Sequence, residues 1–231
     1  MDHKENLSTE IEFSPSISHR VKSGFSDLLF NSARIFAEKS QALENTEKAL
    51  EWPQPSHRQN YGYATAAVIM SAAAMEASIN EIYDRAVDKR YTEFPSLKKA
   101  QVDLLAQLWP VVEMSTVLKK HDVALSAAGL RIIEPGCEPC QSAAALIALR
   151  DTIMHYKPEW DDQLKKLKSL EDRLTGKFPL NQLTDNLSGH MLWFPGRCLG
   201  AGCAKWACDA AYNYHIAFVN SLGIKSHLPK G

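Results

Sequence analysis

The stretch AAALIALRDTIMHYKP, residues 143–158, opens with an unbroken apolar run from Ala143 to Leu149 and then admits an arginine, an aspartate and a histidine. Its alanine and leucine content reads as a buried helix. Pro139 suits a first helical turn, and Pro158 disfavours helical geometry at Lys157, so the helix is predicted to run from Pro139 to near Tyr156. A charged or titratable group on such a surface costs several kcal/mol unless it is paired. Arg150, Asp151 and His155 therefore mark either a satisfied network or a working site.

The segments on either side share this helical character. Val21, Phe25, Leu28, Leu29, Ala33 and Phe36 recur at three- and four-residue spacings, the period of an amphipathic helix that is expected to reach Leu50 before Trp52-Pro53-Gln54-Pro55 breaks it. A central, alanine-rich helix is predicted over Gln59 to Lys89, its small side chains letting neighbouring helices approach closely. A third begins near Ser96, an N-cap candidate after Pro95, and Pro110 kinks or divides it before Gly129. A charged helix over Glu159 to Leu174, a loop from Gly176 to Pro195 and a last helix over Arg197 to Leu222 complete the chain. No internal repeat is evident, nor any series of alternating β-branched segments separated by turns. The predicted fold is all-α, a bundle of about five to seven helices. It forms one domain over residues 16–231 behind a frayed or disordered segment, 1–15.

At 231 residues the chain can bury a sizeable core. Its 26 Lys and Arg against 27 Asp and Glu exclude the broad basic field of a nucleic-acid coat protein, so any nucleic-acid site is local. Candidate local charge lies at Lys98-Lys99, Lys119-Lys120-His121 and the Lys165-Lys166-Lys168 group, although such runs are usually the solvated faces of helices. The polar, acidic N-terminus lacks the features of a signal peptide, and the longest apolar stretch, Ala64 to Met75 continuing to Ile79, falls short of the roughly 20 residues of a membrane span. A soluble, cytoplasmic protein without a membrane partner is expected.

Arginine presents a permanent charge on a planar fork that matches a phosphate, and histidine exchanges a proton near neutral pH. Together they suit cleavage of an RNA phosphodiester. The histidine would take the 2′-hydroxyl proton or protonate the leaving 5′-oxygen, and the arginine would stabilise charge on the pentacoordinate phosphate. That chemistry calls for no cofactor and no metal. Asp151 and His155, four apart, are separated by about 40° around a helix, so the carboxylate could orient the ring. Arg150 and His155, five apart, diverge by about 140°. A local distortion near Pro158, the reach of arginine, or the same motif from a second protomer would be needed to bring them together.

Arg150-Asp151-Thr152-Ile153-Met154-His155 resembles the R-x4-H signature of the HEPN superfamily, with an aspartate after the arginine and an aromatic and a proline just beyond the histidine. AAVIMSAAAMEASINEIY, residues 66–83, is similar to the alanine-rich segment that such domains place before the motif helix. The resemblance implies a helical bundle that dimerises and brings two motifs into one ribonuclease site. It implies toxin–antitoxin or phage-defence roles, with an antitoxin protein as a possible partner. By the same resemblance Arg150, Asp151 and His155 are catalytic, and Glu76 and Asn80, four apart on one helix face, support them. The family also includes catalytically inactive modules that bind nucleic acid, a nucleotide or a protein. The structural alternative is that Arg150 and Asp151 form a structural ion pair with neighbouring helices, with Glu76 satisfying Arg150, and that His155 only caps its helix.

Tyr156 is a candidate for base stacking, although a packing role is the commoner fate of such a ring. Cys137-Glu138-Pro139-Cys140 has the gap of a zinc knuckle, and with Cys198 and Cys203 it offers a weak four-thiolate candidate. Cysteine on an alanine-rich helix is more often a small buried hydrophobe. His190, His215 and His227 show no ligand spacing. Trp206, Tyr212, Tyr214 and Phe218 recur at helical spacings, as core or a dimer face.

Overall fold

Alanine decides the centre of the molecule. The computed structural model describes residues 22–46, 55–158, 165–187, 191–226 and 228, and the expectation for residues 1–15 falls outside them. Within these residues there are seven α-helices and no strand: α1 (Ser26–Thr46), α2 (Pro55–Val87), α3 (Lys99–Val112), α4 (Val117–Ala127), α5 (Cys140–Met154), α6 (Lys165–Leu174) and α7 (Ala201–Ser221). The fold is all-α, as its sequence predicts. Ala64, Ala67, Ala72 and Ala74 are fully buried on α2, which packs against α1, α3, α4, α5 and α7. By length and composition α2 could cross a membrane, but half of its most apolar stretch is buried inside the fold.

Two apolar clusters flank α2. One joins Val68 and Met75 to Leu146 and Leu149 of α5, Leu170 of α6 and Ala207 and Tyr214 of α7. The other joins Ile79 and Tyr83 to Leu105 of α3, Leu125 of α4 and Phe218 of α7. The motif helix thus rests on the first cluster.

Several helix ends differ from expectation. α2 starts a turn before Gln59, because Pro55 needs no hydrogen bond in a first turn. It ends at Val87, where Lys89 takes a left-handed conformation (φ 56°) and the Arg90 N–H returns to the Arg85 carbonyl at 3.0 Å. Lys98, not Ser96, caps α3. Pro110 lies in the last turn of α3 without dividing it; the break comes after Val112, and α4 restarts at Val117. Pro139 is the N-cap of α5 rather than its first residue. The last helix begins at Ala201, preceded by a kinked turn over Trp193–Arg197 in which Phe194 is extended (φ −111°, ψ 132°).

The face that α1 buries is rotated from the one its apolar spacing predicts, with Ala33 on both and Phe36 half-buried against the core. Ser26, Ala33, Ala37, Ser40 and Glu44 face inward, whereas Phe25 and Leu28 are each 57 % exposed. Polar contacts turn the helix. At its start the Glu81 carboxylate accepts the N–H groups of Phe25 and Ser26 at 2.7 and 2.8 Å, and the Ser26 hydroxyl at 2.8 Å. At its end Glu44 accepts the Asn60 amide at 2.8 Å and the Ala201 N–H, the first of α7, at 2.7 Å. A carboxylate there satisfies an orphan donor and complements the helix dipole. Asn181 extends this network, accepting from Asn60 at 3.1 Å and donating to the Leu199 carbonyl at 2.9 Å. Gly200 is required by close approach, since a Cβ there would meet Glu44 and the backbone of Asn181.

Candidate active site

α5 remains a regular helix to Met154, and the His155 N–H still bonds to the Asp151 carbonyl at 3.0 Å. His155 then leaves helical geometry (φ −118°, ψ 27°), two residues before Lys157, the residue that Pro158 restricts. The buried side of α5 is Cys140, Ala143, Ala145, Leu146 and Leu149. Arg150 is half-buried beside that seam, with its side chain 26 % exposed, whereas Asp151, His155, Tyr156 and Lys157 are exposed. Arg150 and His155 therefore stand at one end of one helix, open to solvent, without the distortion that would bring their tips together.

The polar partners differ from those expected. The Arg150 guanidinium pairs with the Asp151 carboxylate at 3.1 Å, and among the described residues the His155 ring has no hydrogen bond. Asp151 thus serves the arginine rather than orienting the histidine. Glu76 does not pair with Arg150 either. Glu76 and Asn80 grip Lys120, whose Nζ lies 3.3 Å from Glu76 Oε1 and 3.0 Å from Asn80 Oδ1, above the Trp109 ring at 5.7 Å. Lys120 is only 2 % exposed, although its basic run suggests a solvated face. The signal for its burial is periodic: Val117, Lys120, His121 and Ala124 form one inward seam of α4.

Beyond the histidine, Tyr156 is 43 % exposed and its ring lies 5.8 Å from that of buried Phe194. The turn holding Phe194 is itself tied down. The Gly196 carbonyl accepts from the hydroxyls of Tyr61 at 3.2 Å and Thr184 at 3.3 Å, and the Cys198 N–H donates to the Trp193 carbonyl at 2.8 Å. Met154 and Leu192, two residues before Tyr156 and Phe194 respectively, are further exposed apolar side chains.

The remaining candidates separate from the motif. Among the described residues no three His, Cys, Asp or Glu side chains gather where a metal could bind, so Cys137, Cys140, Cys198 and Cys203 do not form the four-thiolate site. Cys137 is exposed while Cys140, Cys198 and Cys203 are buried, and burial raises the thiols of Cys140 and Cys198 above their ordinary range. They pack as small neutral hydrophobes. His121 is fully buried, its Nδ1 donating to the Val117 carbonyl at 2.8 Å and its ring edge-on to Tyr214 and Phe218. Desolvation lowers His121 to about 4 and His215 likewise to about 4. His190 and His227 lie outside the described residues. Tyr214 and Phe218 are core, and Trp206 and Tyr212 half-buried. A cleft of about 660 Å³ between α1 and α7 is floored by Phe30, Ala37, Cys208 and Tyr212, and no motif residue lines it. Its cations are already matched, Lys205 by Asp209 at 2.6 Å and Arg34 more loosely by Glu38 at 3.9 Å. Volume alone therefore does not make it the reactive site.

Comparison of the chain with protein-family models, with curated proteins and with solved structures finds no match.

Proposed function

We propose that this chain is a HEPN-like endoribonuclease of toxin or phage-defence type that cleaves RNA without a metal, at a site composed by two copies of the motif. The observation that carries the reading is the end of α5, where a half-buried arginine and a solvent-facing histidine occupy one helix terminus at R-x4-H spacing. In the reaction His155 takes the proton of a ribose 2′-hydroxyl as the 2′-oxygen bonds to phosphorus. The bond to the 5′-oxygen breaks, a protonated histidine supplies the leaving group's proton, and Arg150 balances the charge of the pentacoordinate phosphate. The products are a 2′,3′-cyclic phosphate and a 5′-hydroxyl.

α5 is undistorted, so one chain supplies Arg150 and His155 on diverging sides, and a second copy supplies the complementary pair. Met154, the last residue of α5 and 56 % exposed, adds apolar surface at that end. Mixing Arg150→Ala with His155→Ala protein tests this arrangement. Each variant alone is inactive, and the mixed dimer regains cleavage through one intact pair; no recovery at verified mixed-dimer formation would rule out a shared site.

The pairing of Arg150 with Asp151 favours a second reading, a catalytically inactive module of the same kind that binds nucleic acid, a nucleotide or a protein partner. Absence of cleavage across varied RNAs by folded protein would select it. An antitoxin protein as the natural restraint belongs to the first reading.

A further inference from the structure

Tyr156 is a partly exposed ring just beyond the motif helix. It directly follows the exposed histidine, in non-helical chain fixed by Pro158, and 43 % of it meets solvent. Its one ring contact among the described residues is with Phe194, 5.8 Å away and tilted 45°. Phe194 is 4 % exposed, on a turn anchored by Tyr61, Thr184 and Cys198. The Tyr156 hydroxyl has no hydrogen bond among the described residues. The ring is thus supported from within and still leaves apolar surface beside the motif. Lys157, exposed and without an ion pair among the described residues, follows at once. An aromatic platform next to a cation is how proteins hold an unpaired nucleotide: the base stacks on the ring and its phosphate meets the charge.

We infer that Tyr156, backed by Phe194, stacks an unpaired base adjoining the phosphate on which Arg150 and His155 act, so that the substrate is single-stranded RNA. Bases inside an RNA duplex have both faces occupied and cannot reach such a platform. This inference rests on the ribonuclease reading and adds to it a specificity determinant.

The test is a double-substitution cycle on a single-stranded oligonucleotide with one mapped cleavage position. Wild type, Tyr156→Ala and Tyr156→Phe are each assayed on the intact strand and on strands made abasic on either side of the scissile phosphate. The inference expects Tyr156→Ala to raise KM about tenfold with kcat little changed, within the range that loss of one stacked base produces. Tyr156→Phe restores KM, one abasic strand costs wild type a similar factor, and that strand costs Tyr156→Ala nothing more. Binding to the His155→Ala protein, read by fluorescence anisotropy without cleavage, should favour the single strand over its duplex and lose that preference when Tyr156→Ala is added. Additive effects, unchanged binding, or a weakened dimer in Tyr156→Ala as the source of the loss would overturn the inference. If wild type cleaves and His155→Ala does not while the cycle is additive, only the stacking role falls. If wild type cleaves no RNA and His155→Ala protein binds none, the ribonuclease reading falls with it.

Discussion

The carboxylate of Glu44, near the end of α1, accepts the backbone N–H of Ala201 at the start of α7 from 2.7 Å. The same oxygen takes the Asn60 amide, so one buried side chain joins three helices. Glu44→Ala would leave the Ala201 N–H buried without its acceptor and strip the Asn60 amide of one of its two. An unfolding loss of about 3 kcal/mol is expected from urea titration, the scale of hydrogen bonds to a charged group. A loss under about 0.5 kcal/mol, the level of an ordinary surface substitution, would mean that the junction is not built as described.

Gly200 tests the same junction from the backbone. Its φ of −156° is open to any residue, so a side chain is excluded only by the approach of Glu44 and Asn181. Gly200→Ala should destabilise by about 1–3 kcal/mol through overpacking. A neutral result in thermal or urea unfolding would show that the helices separate at little cost.

Lys120 separates structural from catalytic roles. Because Glu76 and Asn80 hold this buried ammonium, Glu76→Gln should lower stability and leave the chemistry of Arg150 and His155 intact. Lys120→Met, of similar shape, should be tolerated better than loss of its acidic partner, since an apolar replacement leaves no charge stranded. Loss of RNA cleavage in folded Glu76→Gln protein would return Glu76 to the site.

This is also where the sequence stopped being legible. Periodicity in a chain of alanine-rich helices located the elements and placed Arg150 and His155 at the end of α5. It could not say which polar groups meet, because Glu76 to Lys120 and Glu44 to Ala201 are contacts between helices distant along the chain. Apolar spacing placed Ala33 and Phe36 against the core but not the rest of the inward face of α1. There Ser26, Ser40 and Glu44 override hydrophobicity, since each finds a hydrogen-bond partner inside while Phe25 and Leu28 remain outside. Helix ends were displaced where the deciding residue was an unusual one, Lys89 in a left-handed conformation or Pro110 accommodated in a last turn.

Burial of histidine gives the protein an acid limit. His121 and His215 each titrate near 4 in the folded state, below the ordinary value of 6.5, because desolvation penalises their charged forms. The unfolded chain therefore binds more protons between these values, and stability that is complete above about pH 6.5 falls as pH drops toward 4. The urea midpoint should decrease over that window, and His121→Leu should flatten the decrease. The same slope in wild type and His121→Leu would assign the acid loss to other groups.

The metal-free RNA cleavage proposed for Arg150 and His155 is measured by incubating purified protein with RNA in excess EDTA beside the His155→Ala variant and analysing the fragment ends. Cleavage by wild type alone, leaving 2′,3′-cyclic phosphate and 5′-hydroxyl ends, is the result expected. Undiminished cleavage by folded His155→Ala protein, or none by wild type across varied RNAs, would contradict it.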